Sequence, residues 1–132
     1  MESNAPTQER KKLYGLLGDL PPRQRLVSSE TIRTETREGY VLETLVLDLN
    51  GIEGVPAYLA RPEGNVTDAP AILYNHAHGG DYELGKEELI HGRSALQSPP
   101  YARALTDLGY CVLCIDAWNF GEYLFEEELI YQ

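Results

Sequence analysis

The sequence has 132 residues, 42% hydrophobic and 24% charged, a balance that suits one globular domain and excludes a disordered chain. Against 21 acidic residues stand 11 basic ones, for a formal net charge of -10. This argues against nucleic-acid and anionic-membrane partners, whose phosphates call for clustered Lys and Arg. No apolar run approaches the roughly 20 residues of a membrane-spanning helix, and residues 1–12 carry no apolar leader. Two cysteines make no disulfide framework, so a reducing, cytoplasmic setting is expected.

The first predicted element is a short helix over residues 7–17, with Leu13, Leu16 and Leu17 on one face. Gly18 and Pro21-Pro22 stop it, and its expected role is to cover an edge or dock on a core. Residues 1–29 thus form a helix and linker, and residues 30–132 form the main domain. Residues 30–61 read as an antiparallel meander. TIRTETR alternates, Glu38-Gly39 makes a turn, YVLETLVLDL is rich in apolar and β-branched residues, Asn50-Gly51 turns again, and VPAYLARP follows.

AILYNH (residues 71–76) is a short apolar run ending in a Gly-rich turn, HAHGGD, followed by a polar stretch over residues 82–98. Pro99-Pro100 opens a helix, YARALTDLGY, whose apolar face is Ala102, Leu105 and Leu108 and whose stop is Gly109. YCVLCID (residues 110–116) reads as a strand buried on both faces. Strand, loop, helix and strand make a βαβ unit with a parallel pair. The fold class is therefore α/β, a mixed sheet with an antiparallel N-terminal meander followed by a βαβ unit. In the tail, Leu124, Phe125, Leu129 and Ile130 fall at helical spacing, and Glu126 to Glu128 form its solvated face.

The chemistry concentrates where strands end. Asn75 to Asp81 leave a buried strand directly, and in open α/β sheets ligand sites lie beyond the carboxyl ends of strands. Glycines there allow close backbone approach, so the N–H groups of Gly79 and Gly80 are candidates for holding a developing oxyanion. His78 and Asp81 beside them, with Asp116 and Trp118 at the end of the next strand, are candidate pocket residues. Asp116 serves equally well as a loop anchor.

ILYNHAHGGD, PPYARALTDLGY and CVLCIDAWNFGE, in that order, resemble the N-terminal half of α/β-hydrolases of the dienelactone-hydrolase and acetyl-esterase-like group. The resemblance spans residues 30–122. It implies a partial α/β-hydrolase fold, a small-molecule ester as substrate, no cofactor, and a serine mechanism in full-length relatives. It also implies an oxyanion hole built from the His-Gly-Gly turn and the residue after the nucleophile. The sequence departs from that pattern in lacking the G-x-S-x-G elbow; Gly92-Arg93-Ser94-Ala95-Leu96 has no second glycine. The order Ser, acid, His also fails, because no histidine follows Ser94 or Ser98. A truncated, frameshifted or naturally partial hydrolase is expected, without triad-dependent turnover by itself.

Two other readings compete. A non-catalytic module would pair through an exposed sheet edge into a homo-oligomer, with residues 110–116 near that edge. A metal-dependent hydrolase would use His76 and His78, alternate residues whose rings point the same way. Metal binding is disfavoured because Asp81 is displaced by one position from a metallo-hydrolase spacing and no histidine follows it. Cys111 and Cys114, three apart on a strand, face opposite ways and read as core thiols rather than a redox pair.

Overall fold

A computed structural model describes residues 5–20 and 24–123. The expected tail helix over residues 124–130, its acidic run and the Pro21-Pro22 stop lie outside them. The chain forms α1 (Ala5–Leu16), β1 (Ser28–Arg37), β2 (Tyr40–Asp48), β3 (Gly54–Arg61), β4 (Ala71–Tyr74), α2 (Glu88–His91), α3 (Tyr101–Thr106) and β5 (Cys111–Ile115). Short 3-10 turns at Gly85–Glu87 and Gly121–Tyr123 complete it.

The five strands make one mixed sheet in the order β1-β2-β3-β5-β4. The meander pairs antiparallel, with Arg37 opposite Tyr40 and Leu47 opposite Val55. Turn chemistry sets the second hairpin. Asp48 accepts the Gly51 amide at 2.7 Å, and Asn50 accepts the amides of Ile52 and Glu53 at 2.9 and 3.2 Å. β5 runs antiparallel to β3 and parallel to β4, so Cys114 stands between Tyr58 and Tyr74.

Period-two alternation gives the sheet two apolar faces. On one, Tyr40, Leu42, Ala60, Val112 and Cys114 pack against Leu89, Ile90 and Ala102 from the helices. On the other, Leu45, Leu47, Val55 and Ala57 pack with Tyr123, whose hydroxyl donates to the Gly54 carbonyl at 2.8 Å. Removing one such aliphatic side chain from water contributes on the order of 1.5–3 kcal/mol, so the meander and βαβ unit stabilise each other through β3 and β5.

Several expectations are corrected. β5, expected near an edge, is not itself an end strand but among the described residues lies one strand in, between β3 and the end strand β4. The expected apolar face of α1 is not buried: Leu13, Leu16 and Leu17 are all exposed, Leu16 at 84%. α3 ends at Thr106 and the chain turns, leaving Leu108 73% exposed and outside the apolar face. The Thr106 hydroxyl bonds back to the Ala102 carbonyl at 2.7 Å, and Gly109 takes a positive φ of 88°. The polar stretch over residues 82–98 is partly helical, and its Leu89 is fully buried.

Burial alternation places Cys114 with Val112 in the core and Cys111 on the other face. Burial, assisted by the nearby Asp116 carboxylate, pushes the Cys114 thiol up to about 12. The thiolate is the nucleophile, so Cys114 is expected to resist iodoacetamide at neutral pH in the native chain and to react only after unfolding, as peptide mass analysis would read.

Candidate functional site

Beyond the carboxyl ends of β4 and β5 two loops meet. The first is a tight turn, with the Asp81 amide donating to the His78 carbonyl at 3.4 Å. Its central residues, Gly79 and Gly80, have φ of 51° and 73°. Positive φ at both centres is the primed turn geometry, which a Gly-Gly pair adopts without steric cost. The amides of His78 and Gly79 have no acceptor among the described residues, and the Gly80 amide faces His78 Nδ1 at 3.4 Å. No amide of this pair is directed at a described protein carbonyl. Gly79 and Asp81 border an open cleft of about 570 Å³ that Leu84, Arg93 and Leu96 also line.

The histidines are held locally. His76 Nε2 accepts the Ala117 amide at 3.1 Å and so joins the two loops. His78 Nδ1 faces the Gly80 amide, and its Nε2 meets the Tyr82 hydroxyl at 2.9 Å. Tyr82 stacks on Phe120, centroids 4.9 Å apart, and both histidine rings pack against Phe120. Both rings are therefore engaged with the protein, and among the described residues no three His, Cys, Asp or Glu side chains converge as metal ligands.

Asp116, expected either to line a pocket or to anchor a loop, is 1% exposed and surrounded by donors. It accepts the Lys86 amide at 2.7 Å, Lys86 Nζ at 2.8 Å and the Glu122 amide at 3.2 Å. Lys86 is equally buried, bonds Glu122 as well, and lies 4.9 Å from the Tyr58 ring centroid. Gly85 and Gly121 permit this approach: a Cβ on Gly85 would stand 2.2 Å from Asp116 Oδ1. Asp116 thus ties the loop after β4 to the loop after β5. Trp118 is 61% exposed, its ring centroid 6.1 Å from that of Tyr123.

Sequence reasoning missed a second buried network. Glu88, 0% exposed, accepts the Tyr74 hydroxyl at 2.6 Å and the Ala77 amide at 2.9 Å, and it pairs with Arg93. Burial works against its charge, but these donors outweigh it and hold the carboxyl below the usual range. Tyr74 is pushed the other way, first by burial and then by the same carboxylate. Nothing in the local sequence marks it, because Glu88 and Arg93 read as surface charges in a polar stretch.

No protein-family model matches the chain. Over 115 residues it is 51% identical to a Bacillus subtilis (strain 168) protein named "Putative hydrolase YtaP", covering 87% of this chain and 38% of that protein. The chain therefore spans well under half the length of this relative. A crystal structure described as a "putative acetyl xylan esterase" from Bacteroides fragilis NCTC 9343 is similar with a TM-score of 0.65. That match covers 92% of this chain and 31% of that one at 21% identity, a likeness of fold. The chain is thus related in sequence to a hydrolase-named protein and has the α/β fold of an esterase-named one.

Proposed function

We propose that this chain supplies the oxyanion-stabilising turn of a carboxylic-ester hydrolase of the α/β type, acting on a small-molecule ester without a cofactor. The observation that carries the reading is the pair of amides at His78 and Gly79 with no acceptor among the described residues, beyond the end of a sheet strand. Amides held in place before reaction need no reorganisation when charge develops on an acyl oxygen, which is why such donors count for more than the same groups in water. Gly80 contributes by giving the turn its second positive φ, and its own amide reaches an oxyanion if the His78 ring rotates away. Asp81, on the cleft, is the proposed pocket residue; His78 and Trp118 stand outside the lining of that cleft. The hydrolase-named relative and the fold of the esterase-named structure support this assignment. The attacking serine is assigned to residues outside this sequence, which holds no G-x-S-x-G elbow.

The test is a chimera in which this chain replaces the matching segment of the Bacillus subtilis relative. The chimera and its parent are expected to hydrolyse p-nitrophenyl acetate and to take up a fluorophosphonate on a serine outside the replaced segment. The isolated chain is expected to do neither. A parent without esterase turnover, a folded chimera without it, or probe on Ser94 or Ser98 would overturn the reading.

A further inference from the structure

We propose that Glu88 and Arg93 are positioning residues for the oxyanion turn, an ion pair that grips Ala77 from both sides and thereby sets the direction of the amides that follow. The proposal rests on the oxyanion reading above. Glu88 Oε1 accepts the Ala77 amide at 2.9 Å, while Arg93 Nη2 donates to the Ala77 carbonyl at 3.1 Å. Both backbone polar groups of one residue are therefore held by two side chains that are bonded to each other through Arg93 Nε and Glu88 Oε2. Arg93 Nη2 also reaches the Asp81 carbonyl at 3.5 Å, so one guanidinium touches the turn at its entrance and its exit.

The consequence follows from peptide geometry. A trans peptide is planar, with its N–H opposed to its C=O. With the Ala77 carbonyl fixed on Arg93, the His78 amide is directed to the opposite side, away from the cation. Arg93 also backs the turn sterically: a Cβ on Gly79 would stand 2.3 Å from Nη1. The brace is itself rigid. Glu88 is 0% exposed and anchored by the Tyr74 hydroxyl at the end of β4, and the Arg93 side chain is only 14% exposed. The planar fork matters, because it presents Nε to Glu88 and Nη2 to Ala77 in fixed directions, which a flexible ammonium does not preset.

The experiment uses Arg93→Met, Arg93→Lys and Glu88→Gln in the chimera. Glu88→Gln keeps an acceptor for Ala77 and Tyr74 but sets an amide N–H against Arg93 Nε. Each variant is expected to lower kcat about tenfold on p-nitrophenyl acetate with KM changed less than twofold, the pattern of an interaction felt in the transition state. Arg93→Lys is expected to recover the melting temperature lost in Arg93→Met without recovering kcat. In the isolated chain, exchange of the Ala77 amide, which Glu88 holds, is expected to quicken in all three. An active parental chimera whose kcat survives Arg93→Met, or is restored by Arg93→Lys together with stability, overturns the brace and leaves the oxyanion reading standing. An inactive wild-type chimera overturns the oxyanion reading, and the brace with it. Should a variant fail to fold in the chimera, unchanged exchange at the Ala77 amide in the isolated variant chain overturns the brace.

Discussion

Gly79→Val is expected to lower kcat of the ester-cleaving chimera about 100-fold, the lower end of what loss of one oxyanion donor costs. Two effects act together. At φ 51° a β-branched residue is strongly disfavoured, so the backbone relaxes toward negative φ and the turn loses its primed shape. The new Cβ would also lie 2.3 Å from Arg93 Nη1 and 2.9 Å from Cζ, pushing the guanidinium off the Ala77 carbonyl. Gly80→Ala is the internal comparison. Its φ of 73° carries the same kind of strain, on the order of 1 kcal/mol, but no heavy atom lies within 4 Å of the added Cβ. Its kcat is expected to fall several-fold only. Equal losses in the two variants, with melting temperatures alike, would mean that strain alone matters and that the amide directions do not.

Lys86→Met is expected to destabilise the chain by about 3 kcal/mol, read as a lower urea midpoint at unchanged slope. The Asp116 side chain is 0% exposed, and without the ammonium it is left as a buried charge held only by the amides of Lys86 and Glu122. The double variant Lys86→Met with Asp116→Asn removes both buried charges and is expected to recover much of the loss, since a missing partner costs more than a missing pair. Alkaline pH gives the sign. Burial opposes the Lys86 charge, but hydrogen bonds to Asp116 and Glu122 outweigh it and hold the pKa above the ordinary lysine value. The pair's contribution is therefore complete below about pH 10.4 and lost as pH rises through the raised value. Wild type and Lys86→Met should converge in stability on that alkaline limb; parallel curves throughout would show that the ammonium stabilises nothing.

The meander was legible because its information is local. Alternation in residues 40–48, the turn residues Asp48, Asn50 and Gly51, and the uninterrupted apolar run of β5 each act within a few positions. The Gly79-Gly80 turn was legible for the same reason, since two glycines after an apolar run suit a reversal with positive φ. The insertion of β5 between β3 and β4 was not legible, because no local pattern states which neighbour a doubly covered strand selects. Nor was the helical stretch around Glu88–His91. Lys86 and Glu88 look like surface charges, and only partners distant in sequence, Asp116 for one and Tyr74 for the other, explain their burial. Asp116 was recognised as a choice between pocket and anchor, and its donors came from a segment read as polar loop.

The two outer strands of the sheet differ in charge. β1 is strewn with alternating Glu30, Arg33, Glu35 and Arg37 and breaks register at Ile32, features that repel an incoming strand. β4 carries none of these deterrents: it reads Ala-Ile-Leu-Tyr, with Leu73 61% exposed. Among the described residues β4 is therefore the edge with fewer charges, on the same flank from which the Gly79 turn emerges.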